Sequence, residues 1–266
     1  MILYKYYGPD AGLAALRSRK LGFTTPSRFN DPFELTALSN GDGPLSKQHT
    51  LLRQVEELKD QVVILSLTRS PSNPLMWSHY GQNHTGVVIA YEVGGDFLNS
   101  QQYNLIPADA GDVIYTHTKS PFQLTMATMA ALHKVYQQGF GAPGDQTFEQ
   151  QALARRLFLT KHASWVYEEE VRVVKIATNL FQEIAQVWED QNCRYTTGGS
   201  LPGGLHLFEP TIPILGVYLG ARNTMLKEPA IKRELRNLKC PIFQQEVSSA
   251  SWQLEAKPMM IHSSQE

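Results

Sequence analysis

Three consecutive glutamates stand between an aromatic segment and a valine-rich run in the sequence SWVYEEEVRVV, residues 164–174. If the valine-rich run is a strand, its side chains alternate between two faces. Glu168, Glu170 and Arg172 then share one face, and Glu169 points away from it. Carboxylates on one face repel each other, which is best tolerated where they hold a hydroxyl group or stabilise developing positive charge. The alternative is a solvated start of a strand, where Arg172 pairs with one of the glutamates.

A second group of candidate residues follows the apolar run QVVILSLT, residues 61–68, which predicts a buried strand. Alternation places Ser66 and Thr68 on one face of that strand, and Arg69 opens the loop that leads to an aromatic segment. Aromatic rings beside hydroxyl groups and a guanidinium suit a flat heterocycle and its phosphates. The candidates in the aromatic segment are Trp77, His79 and Tyr80. The alternative is that Trp77 and Tyr80 only fill the core.

The third candidate is the turn FNDPFE, residues 29–34. Because proline disfavours a helical conformation in the residue before it, Asp31 is expected to be extended. We expect Asn30 and Asp31 to point outward while Phe29 and Phe33 anchor the turn. The same residue types also form turns without any function, and this alternative stays open.

Composition restricts the classes of protein and of site. The chain has 266 residues and a formal net charge of -1, so no overall basic field favours extensive contact with duplex nucleic acid or with a membrane. Cys193 and Cys240 form neither a zinc-binding spacing nor a disulfide framework. His79 and His84 are five residues apart, which does not place them on one helix face. We therefore expect no metal and a reducing, cytoplasmic location, and because no apolar run approaches about 18 residues we expect no membrane span.

The candidate residues lie on predicted strands and helices, and these elements do not alternate strictly along the chain. This irregular order argues against a doubly wound sheet, and we predict an α+β fold with largely antiparallel or mixed sheets. Residues 1–260 are expected to form one domain with a helical insert at about 121–163. Residues 177–193 are predicted to be helical, and residues 261–266 to be a loose C-terminal tail.

Four motifs in this order resemble a bacterial family known as domain of unknown function 2971. The shared features are an opening LYKY, a turn FNDPFE, a histidine-containing aromatic segment and a glutamate-rich segment that begins with tryptophan. In this chain they are LYKY at 3–6, FNDPFE at 29–34, MWSHYGQNHTG at 76–86 and WVYEEEVR at 165–172. With the segment ILGVYLGAR at 214–222 after the last motif, the resemblance extends over nearly the whole chain. Four motifs in order are a far more specific signal than any one of them.

These motifs also resemble those of the ADP-ribosyltransferase superfamily, which includes DNA-modifying toxins of toxin–antitoxin pairs. The resemblance implies split mixed or antiparallel sheets that clasp NAD+ between an early polar residue, a middle segment and a late glutamate. Tyr4 or Lys5 would be the early residue, and Glu170 the catalytic glutamate, with Glu168 two residues before it. The middle segment would supply Ser66, Thr68, Trp77, His79 and Tyr80.

The implied chemistry is cleavage of the bond between nicotinamide and ribose, which produces an oxocarbenium-like centre. Glu170 would stabilise that charge, hold a ribose hydroxyl or take a proton from the acceptor. Arg69 or Arg172 would meet the pyrophosphate, or Arg172 would only neutralise the glutamates. The nicotinamide-ribose or acceptor side would be lined by Asn30, Asp31, His79 and Tyr80.

The implied function is that of an NAD+-dependent ADP-ribosyltransferase, a bacterial toxin or phage-defence effector. Its acceptor would be protein or nucleic acid, single-stranded rather than duplex, and an antitoxin or immunity protein is an expected partner. Two alternatives stay open. One is a non-catalytic module that binds a nucleotide or a protein on the same fold. The other is a nuclease-like toxin that uses His79, Glu168 and Glu170 with a divalent ion.

Overall fold

The computed structural model describes residues 1–36, 53, 59, 62–101, 104–119, 148–176, 187–190, 193–196, 205–210 and 212–259. Within these ranges the chain is α+β with a mixed sheet, as the sequence predicts. Of the predicted helical insert, residues 148–159 are a helix, whereas residues 121–147 lie outside the described residues, as does the predicted tail 261–266. None of the helices in the described ranges combines the length and the apolar composition that crossing a bilayer requires.

The strands of the described residues are short, mostly of four to seven residues. They are β1 Ile2–Tyr7, β2 Leu21–Thr24, β3 Val62–Thr68, β4 Val87–Glu92, β5 Ile114–Thr116, β6 Thr160–His162, β7 Glu170–Ile176, β8 Val187–Asp190, β9 Cys193–Thr196, β10 Leu205–Pro210, β11 Ile214–Leu219, β12 Ile242–Val247 and β13 Leu254–Pro258. The α-helices are α1 Pro9–Ser18, α2 Pro74–His79, α3 Asp96–Asn99, α4 Phe148–Leu159 and α5 Pro229–Arg236.

The main sheet runs in the order β13-β12-β11-β4-β1-β3-β2-β10-β9-β8, and β7 pairs with β3 outside this path. Among the described strands of this sheet, β11 and β12 run parallel to each other, and the other pairs are antiparallel. Strands β5 and β6 form a separate parallel pair. The helix predicted at 177–193 is wrong at residues 187–190, because these residues are strand β8 and pair with β9.

Strand β3 separates two apolar clusters because its side chains alternate. Val63, Leu65 and Leu67 pack into the larger cluster, whereas Val62 and Ile64 pack into a second cluster beneath helix α4. Ser66 and Thr68 continue the face of Val62 and Ile64. This face is therefore apolar where α4 covers it and polar at the end of the strand.

Strands β1 and β3 meet at one point and then diverge. Their register contains the single pair Tyr4↔Thr68, and β2 meets β3 through the single pair Thr24↔Ile64. By contrast, β3 pairs with β7 along its whole length, from Val62↔Ile176 to Thr68↔Glu170. The sheet is consequently open between β1 and the β3–β7 pair, and this opening is where the candidate residues collect.

Candidate functional site

A cavity of about 450 Å³ lies at the divergence of β1 and β3. Its volume is in the range of small-molecule sites. Segments far apart in sequence line it: β1, the turn after β2, β3, α2, β6 and the start of β7. The predicted site residues among the lining are Tyr4, Lys5, Asn30, Ser66, Thr68, His79, Tyr80, Glu168, Glu170 and Arg172.

Three carboxylates and two cations form a buried ion network on one wall of this cavity. Glu34, Glu168 and Glu170 are each at most 6% exposed, and Arg172 has no exposed surface. The Arg172 guanidinium donates to both oxygens of Glu170, at 2.9 and 3.0 Å, and to both oxygens of Glu34, at 2.6 and 2.9 Å. Such two-pronged pairs are the strongest geometry for arginine and carboxylate.

Lys161 connects the remaining carboxylate to this network. Its ammonium donates to Glu168 at 2.5 Å and to Glu170 at 3.1 Å. The short pair β5–β6 places Lys161 opposite Tyr115, and the Trp165 ring lies 5.0 Å from the ammonium. Lys161 thereby bridges the two glutamates, which would otherwise repel each other inside the protein.

Glu168 and Glu170 converge for a reason other than strand alternation. Strand β7 begins at Glu170, and Glu168 is the last residue of a 3-10 helix, Ala163–Glu168. Glu169 between them adopts a left-handed conformation with φ 44° and is exposed. As expected from the sequence, Glu168 and Glu170 line one cavity, Glu169 is exposed, and the valine-rich run from residue 170 is a strand.

The loop after β3 holds the 3-10 helix in place. The Thr68 hydroxyl donates to the Glu168 carbonyl at 2.6 Å, and the Asn73 amide donates to the Tyr167 carbonyl at 2.8 Å. The Tyr80 hydroxyl donates to the Glu168 carboxylate at 2.6 Å. Thr68 and Tyr80 therefore position Glu168 through its backbone and its side chain respectively.

The two site glutamates have opposite pKa shifts. Burial by itself raises the pKa of Glu170, but the charges of Arg172 and Lys161 outweigh it and hold this pKa at about 2. Burial also raises the pKa of Glu168, and there the opposing charge of Lys161 does not restore the ordinary value. Glu170 is therefore a permanent anion near neutral pH, and Glu168 is the better proton acceptor of the two.

Two other groups that line the cavity have shifted proton affinities. Burial lowers the pKa of Lys5 to about 8 against the opposing charge of Glu170, and the Lys5 ammonium donates to the Ser66 carbonyl at 3.1 Å across the opening. Burial and then the hydrogen bond to Glu168 raise the pKa of Tyr80 far above its ordinary value. Tyr80 is therefore a hydrogen-bond donor and not a base.

Three predicted site residues lie outside the lining of this cavity. Trp77 is fully buried against Tyr6 and donates to the Pro71 carbonyl at 2.8 Å, so the core-filling alternative is confirmed for it. Arg69 forms an exposed ion pair with Asp112 at 2.5 Å. The predicted outward orientation of Asp31 is wrong: its side chain is buried and accepts from the Phe33 amide at 2.9 Å, which closes the turn.

The other residues of the FNDPFE turn agree only in part with the prediction that Asn30 points outward and that both phenylalanines anchor the turn. Asn30 is exposed and lines the cavity, as predicted. Phe29 packs against the second apolar cluster and lies 5.5 Å from the Arg172 guanidinium. Phe33 is 63% exposed, so its predicted role as an anchor is wrong. The turn is anchored by Phe29, as predicted, and by the ion pair of Glu34 with Arg172.

Reasoning from the sequence missed two residues of the network, Glu34 and Lys161, and one residue that supports it, Tyr115. Glu34 ends the FNDPFE motif, and Lys161 lies just before the glutamate-rich motif. The Tyr115 hydroxyl accepts from the Glu170 amide at 2.9 Å. The one available signal was charge balance, since buried carboxylates require cationic partners, and Lys161 is the nearest cation before the glutamates in the sequence.

The family described as protein of unknown function (DUF2971) matches residues 76–173 of this chain. The matched range includes His79, Tyr80, Lys161 and both site glutamates, and it supports the resemblance to that family. The chain matches none of the curated proteins and none of the solved structures with which it was compared.

Proposed function

We propose that this protein is an NAD+-dependent ADP-ribosyltransferase. The observation that carries the proposal is the convergence of three distant segments on one cavity: Tyr4 and Lys5 on β1, Ser66 and Thr68 on β3, and the pair Glu168 and Glu170. These are the segments that the resemblance to the superfamily implies. A buried carboxylate that stays ionised is suited to an oxocarbenium-like centre, because electrostatic stabilisation is strongest where water is excluded.

In the proposed reaction the bond between ribose C1′ and the nicotinamide nitrogen breaks, and nicotinamide leaves with the bonding electron pair. Glu170, ionised by Arg172 and Lys161, stabilises the positive charge on the ribose ring. An acceptor atom then forms a bond to C1′ and loses its proton, and Glu168 is the proposed proton acceptor because its pKa is raised. The products are nicotinamide, the modified acceptor and one proton.

The proposed pyrophosphate contacts differ from those expected from the sequence. Arg172 is buried and engaged by Glu34 and Glu170, which favours the alternative that it neutralises the glutamates. Lys5 and Arg28 both line the cavity. We assign the pyrophosphate to them, because cations beside an open cavity can reach phosphate oxygens.

The acceptor within this proposal is protein or single-stranded nucleic acid, and the proposed role is that of a toxin or defence effector restrained by a partner. The direct test is incubation of purified protein with labelled NAD+ and cell lysate. Nicotinamide release and label transfer are measured for the wild type and for Glu170→Gln. We expect the substitution to lower the rate at least about 100-fold, as for loss of one electrostatic contact to a transition state.

Glu169→Gln is the matched control, because it makes the same chemical change one residue away at an exposed position. It should retain the wild-type rate. Melting curves of both variants separate loss of chemistry from loss of fold. Equal rates for wild type and Glu170→Gln, with NAD+ still consumed, would remove Glu170 from the proposed mechanism.

One observation favours a second candidate, a non-catalytic nucleotide-binding module. Glu170 already receives hydrogen bonds from Arg172 at both oxygens and from Lys161. A carboxylate offers about four acceptor positions, so these three hydrogen bonds leave room for only about one further donor, such as a ribose hydroxyl. Calorimetry that detects nucleotide binding, together with no NAD+ consumption for any acceptor, would establish this candidate over the enzyme.

No specific observation favours the nuclease-like alternative. Lys161 and Arg172 already occupy carboxylate oxygens that a divalent ion would need. Among the described residues there is no cluster of three or more histidine, cysteine, aspartate or glutamate side chains that could hold a metal ion.

A further inference from the structure

A second cavity of about 440 Å³ lies beside the first and shares part of its lining. Glu34 and Lys161 line both cavities, so the ion network forms a common wall between them. The rest of the second lining comes from the FNDPFE turn, strand β5 with the residues that follow it, and the segment 160–165. None of the steps proposed for the first cavity uses these residues.

The accessible polar side chains of the second cavity are suited to an anion. Lys119 is exposed, and its ammonium donates to the Thr36 hydroxyl at 2.6 Å. His117 and His162 are exposed and pack edge to face at 5.8 Å. The acidic residues of the lining, Asp31 and Glu34, are buried and already accept from the Phe33 amide and from Arg172. The accessible polar groups therefore include the Lys119 ammonium, two imidazoles and several hydroxyl groups, and the carboxylates are turned inward.

Two aromatic rings complete the second cavity. Phe33 is 63% exposed, and the Lys119 ammonium lies 5.3 Å from its ring. Trp165 is half-buried, with the Lys161 ammonium 5.0 Å from its ring. Exposed and half-buried rings beside cations are the combination on which nucleobases stack while their phosphates are neutralised.

An aromatic row connects the linings of the two cavities. The rings of His79 and Tyr167 are 6.0 Å apart with an interplanar angle of 30°, and those of Tyr167 and Trp165 are 6.0 Å apart with an angle of 39°. His79 lines the first cavity and Trp165 lines the second. A ligand longer than one nucleotide would therefore meet a further stacking surface at Tyr167.

We propose that the second cavity is a nucleotide-binding site, separate from the NAD+ site, that takes a nucleobase against Phe33 and Trp165 and a phosphate at Lys119, His117 and His162. The nucleotide is either free or part of a single strand. The common wall of Glu34 and Lys161 would let the two ligands lie close together without sharing a cavity.

Binding is measured with two probes, AMP by calorimetry and a fluorescein-labelled single-stranded oligonucleotide of about ten nucleotides by anisotropy. Trp165→Ala and Lys119→Ala should each lower the binding affinity for both probes roughly tenfold, as expected for the loss of one stacking or phosphate contact. Lys119→Ala leaves the ion network intact, so it remains informative if Trp165→Ala disturbs Lys161. Trp252→Ala is the matched control, because Trp252 is fully exposed on the β12–β13 turn and lines neither cavity.

The variant Tyr167→Ala distinguishes a free nucleotide from a nucleotide that is part of a single strand. If the site binds a single strand, this substitution should weaken binding of the oligonucleotide and leave the affinity for AMP unchanged. If the ligand is a free nucleotide, it should leave the affinities for both probes unchanged. NAD+ turnover is not a readout here, so failure of the proposed enzymatic function leaves the result intact.

Saturating NAD+ should leave the AMP affinity within about twofold of its value without NAD+. Two results together would overturn the proposal: NAD+ and AMP compete for binding, and Lys119→Ala also weakens the binding of NAD+. The second cavity would then be part of the NAD+ site. Absence of binding of both probes at millimolar concentration would overturn the proposal, and so would equal affinities for the wild type, Trp165→Ala and Lys119→Ala.

Discussion

Glu170 is buried, charged and surrounded by donors, and these three properties depend on one another. A carboxylate taken out of water is strongly destabilised unless cations and hydrogen-bond donors replace the lost hydration. Arg172 provides two of the donors and is itself neutralised by Glu34 on its other side. Removing any member leaves a partner charge buried without compensation, which typically destabilises a protein by about 3–5 kcal/mol.

The lowered pKa of Glu170 makes part of the protein's stability depend on pH. Burial opposes ionisation of this group, but Arg172 and Lys161 lower its pKa from 4.5 to about 2. A group with a lowered folded-state pKa contributes stability that is complete above its unfolded-state pKa and is lost as the pH falls toward the folded-state value. The window for this loss is therefore between about pH 4.5 and pH 2.

Urea unfolding of the wild type and of Glu170→Gln between pH 7 and pH 3 tests this linkage. We expect the wild type to be more stable at pH 7 by on the order of 3 kcal/mol, because each pKa unit is worth about 1.4 kcal/mol. The difference should shrink steadily below about pH 4.5. A difference that stays constant down to pH 3 would contradict the assigned shift, and Glu169→Gln should show no difference at any pH.

At the scale of elements, the start of β7 is held from both sides. Strand β3 pairs with its whole length, and the segment before β5 binds its other edge through the Arg172 amide, which donates to the Gly111 carbonyl at 2.9 Å. The Val113 amide donates to the Glu170 carbonyl at 3.0 Å. The position of Glu170 therefore depends on backbone contacts from β3, which also lines the cavity, and from the segment before β5, which does not.

Gly111→Ala tests how closely that segment must approach β7. A Cβ atom at Gly111 would lie 2.1 Å from the Arg172 carbonyl oxygen, and backbone can move away only by breaking the adjoining hydrogen bonds. We expect a loss of stability of roughly 2–3 kcal/mol and a fall in NAD+ consumption, measured by urea unfolding and nicotinamide release.

Gly94→Ala is the control for this effect, because a Cβ atom there has no other atom within 4 Å. It should change stability by less than about 0.5 kcal/mol. If the two alanine variants were equally stable, the close contact between Gly111 and β7 would not be important for the site.

For the whole molecule, the opening of the sheet explains why the site lies where it does. Tyr4 and Lys5 belong to the half of the sheet that continues through β4 to β13, whereas Ser66, Thr68 and Glu170 belong to the β3–β7 pair. The two halves meet at Tyr4↔Thr68 and then separate. A ligand in the cavity would contact both halves and would add contacts across a junction that has little pairing of its own.

NAD+ should therefore stabilise the folded state of the whole chain. At about 100 times its dissociation constant a ligand contributes about 2.7 kcal/mol, which corresponds to a rise in melting temperature of roughly 5–10 °C for a chain of this size. Tyr4→Ala removes a ring that lines the cavity and should reduce the shift, whereas Trp252→Ala should preserve it. A melting temperature that does not respond to NAD+ would count against NAD+ as the ligand while leaving the fold unaffected.

The sequence by itself determined the local features. The apolar run of β3 predicts a buried strand because a strand covered on both faces is apolar throughout, and its terminal Ser66 and Thr68 follow from alternation. The four motifs marked the segments that meet at the site. Both kinds of inference rely on local pattern, so they succeeded where neighbouring residues decide the structure and failed at residues 187–190, where pairing with β9 outweighs local propensity.

Only the tertiary structure decided which charges meet. Glu34 lies 138 residues before Arg172, yet the two share a two-pronged ion pair, and no local pattern connects such distant residues. Lys161 lies only seven residues before Glu168, and the folding of β6 and of the 3-10 helix between them brings its ammonium to both glutamates. Burial was decided in the same way: it turned Trp77 and Asp31 into structural residues, left Phe33 exposed and gave Glu168 and Glu170 opposite pKa shifts. The physical reason is that desolvation and ion pairing depend on every group within a few ångströms, and the fold, not the spacing along the chain, chooses those neighbours.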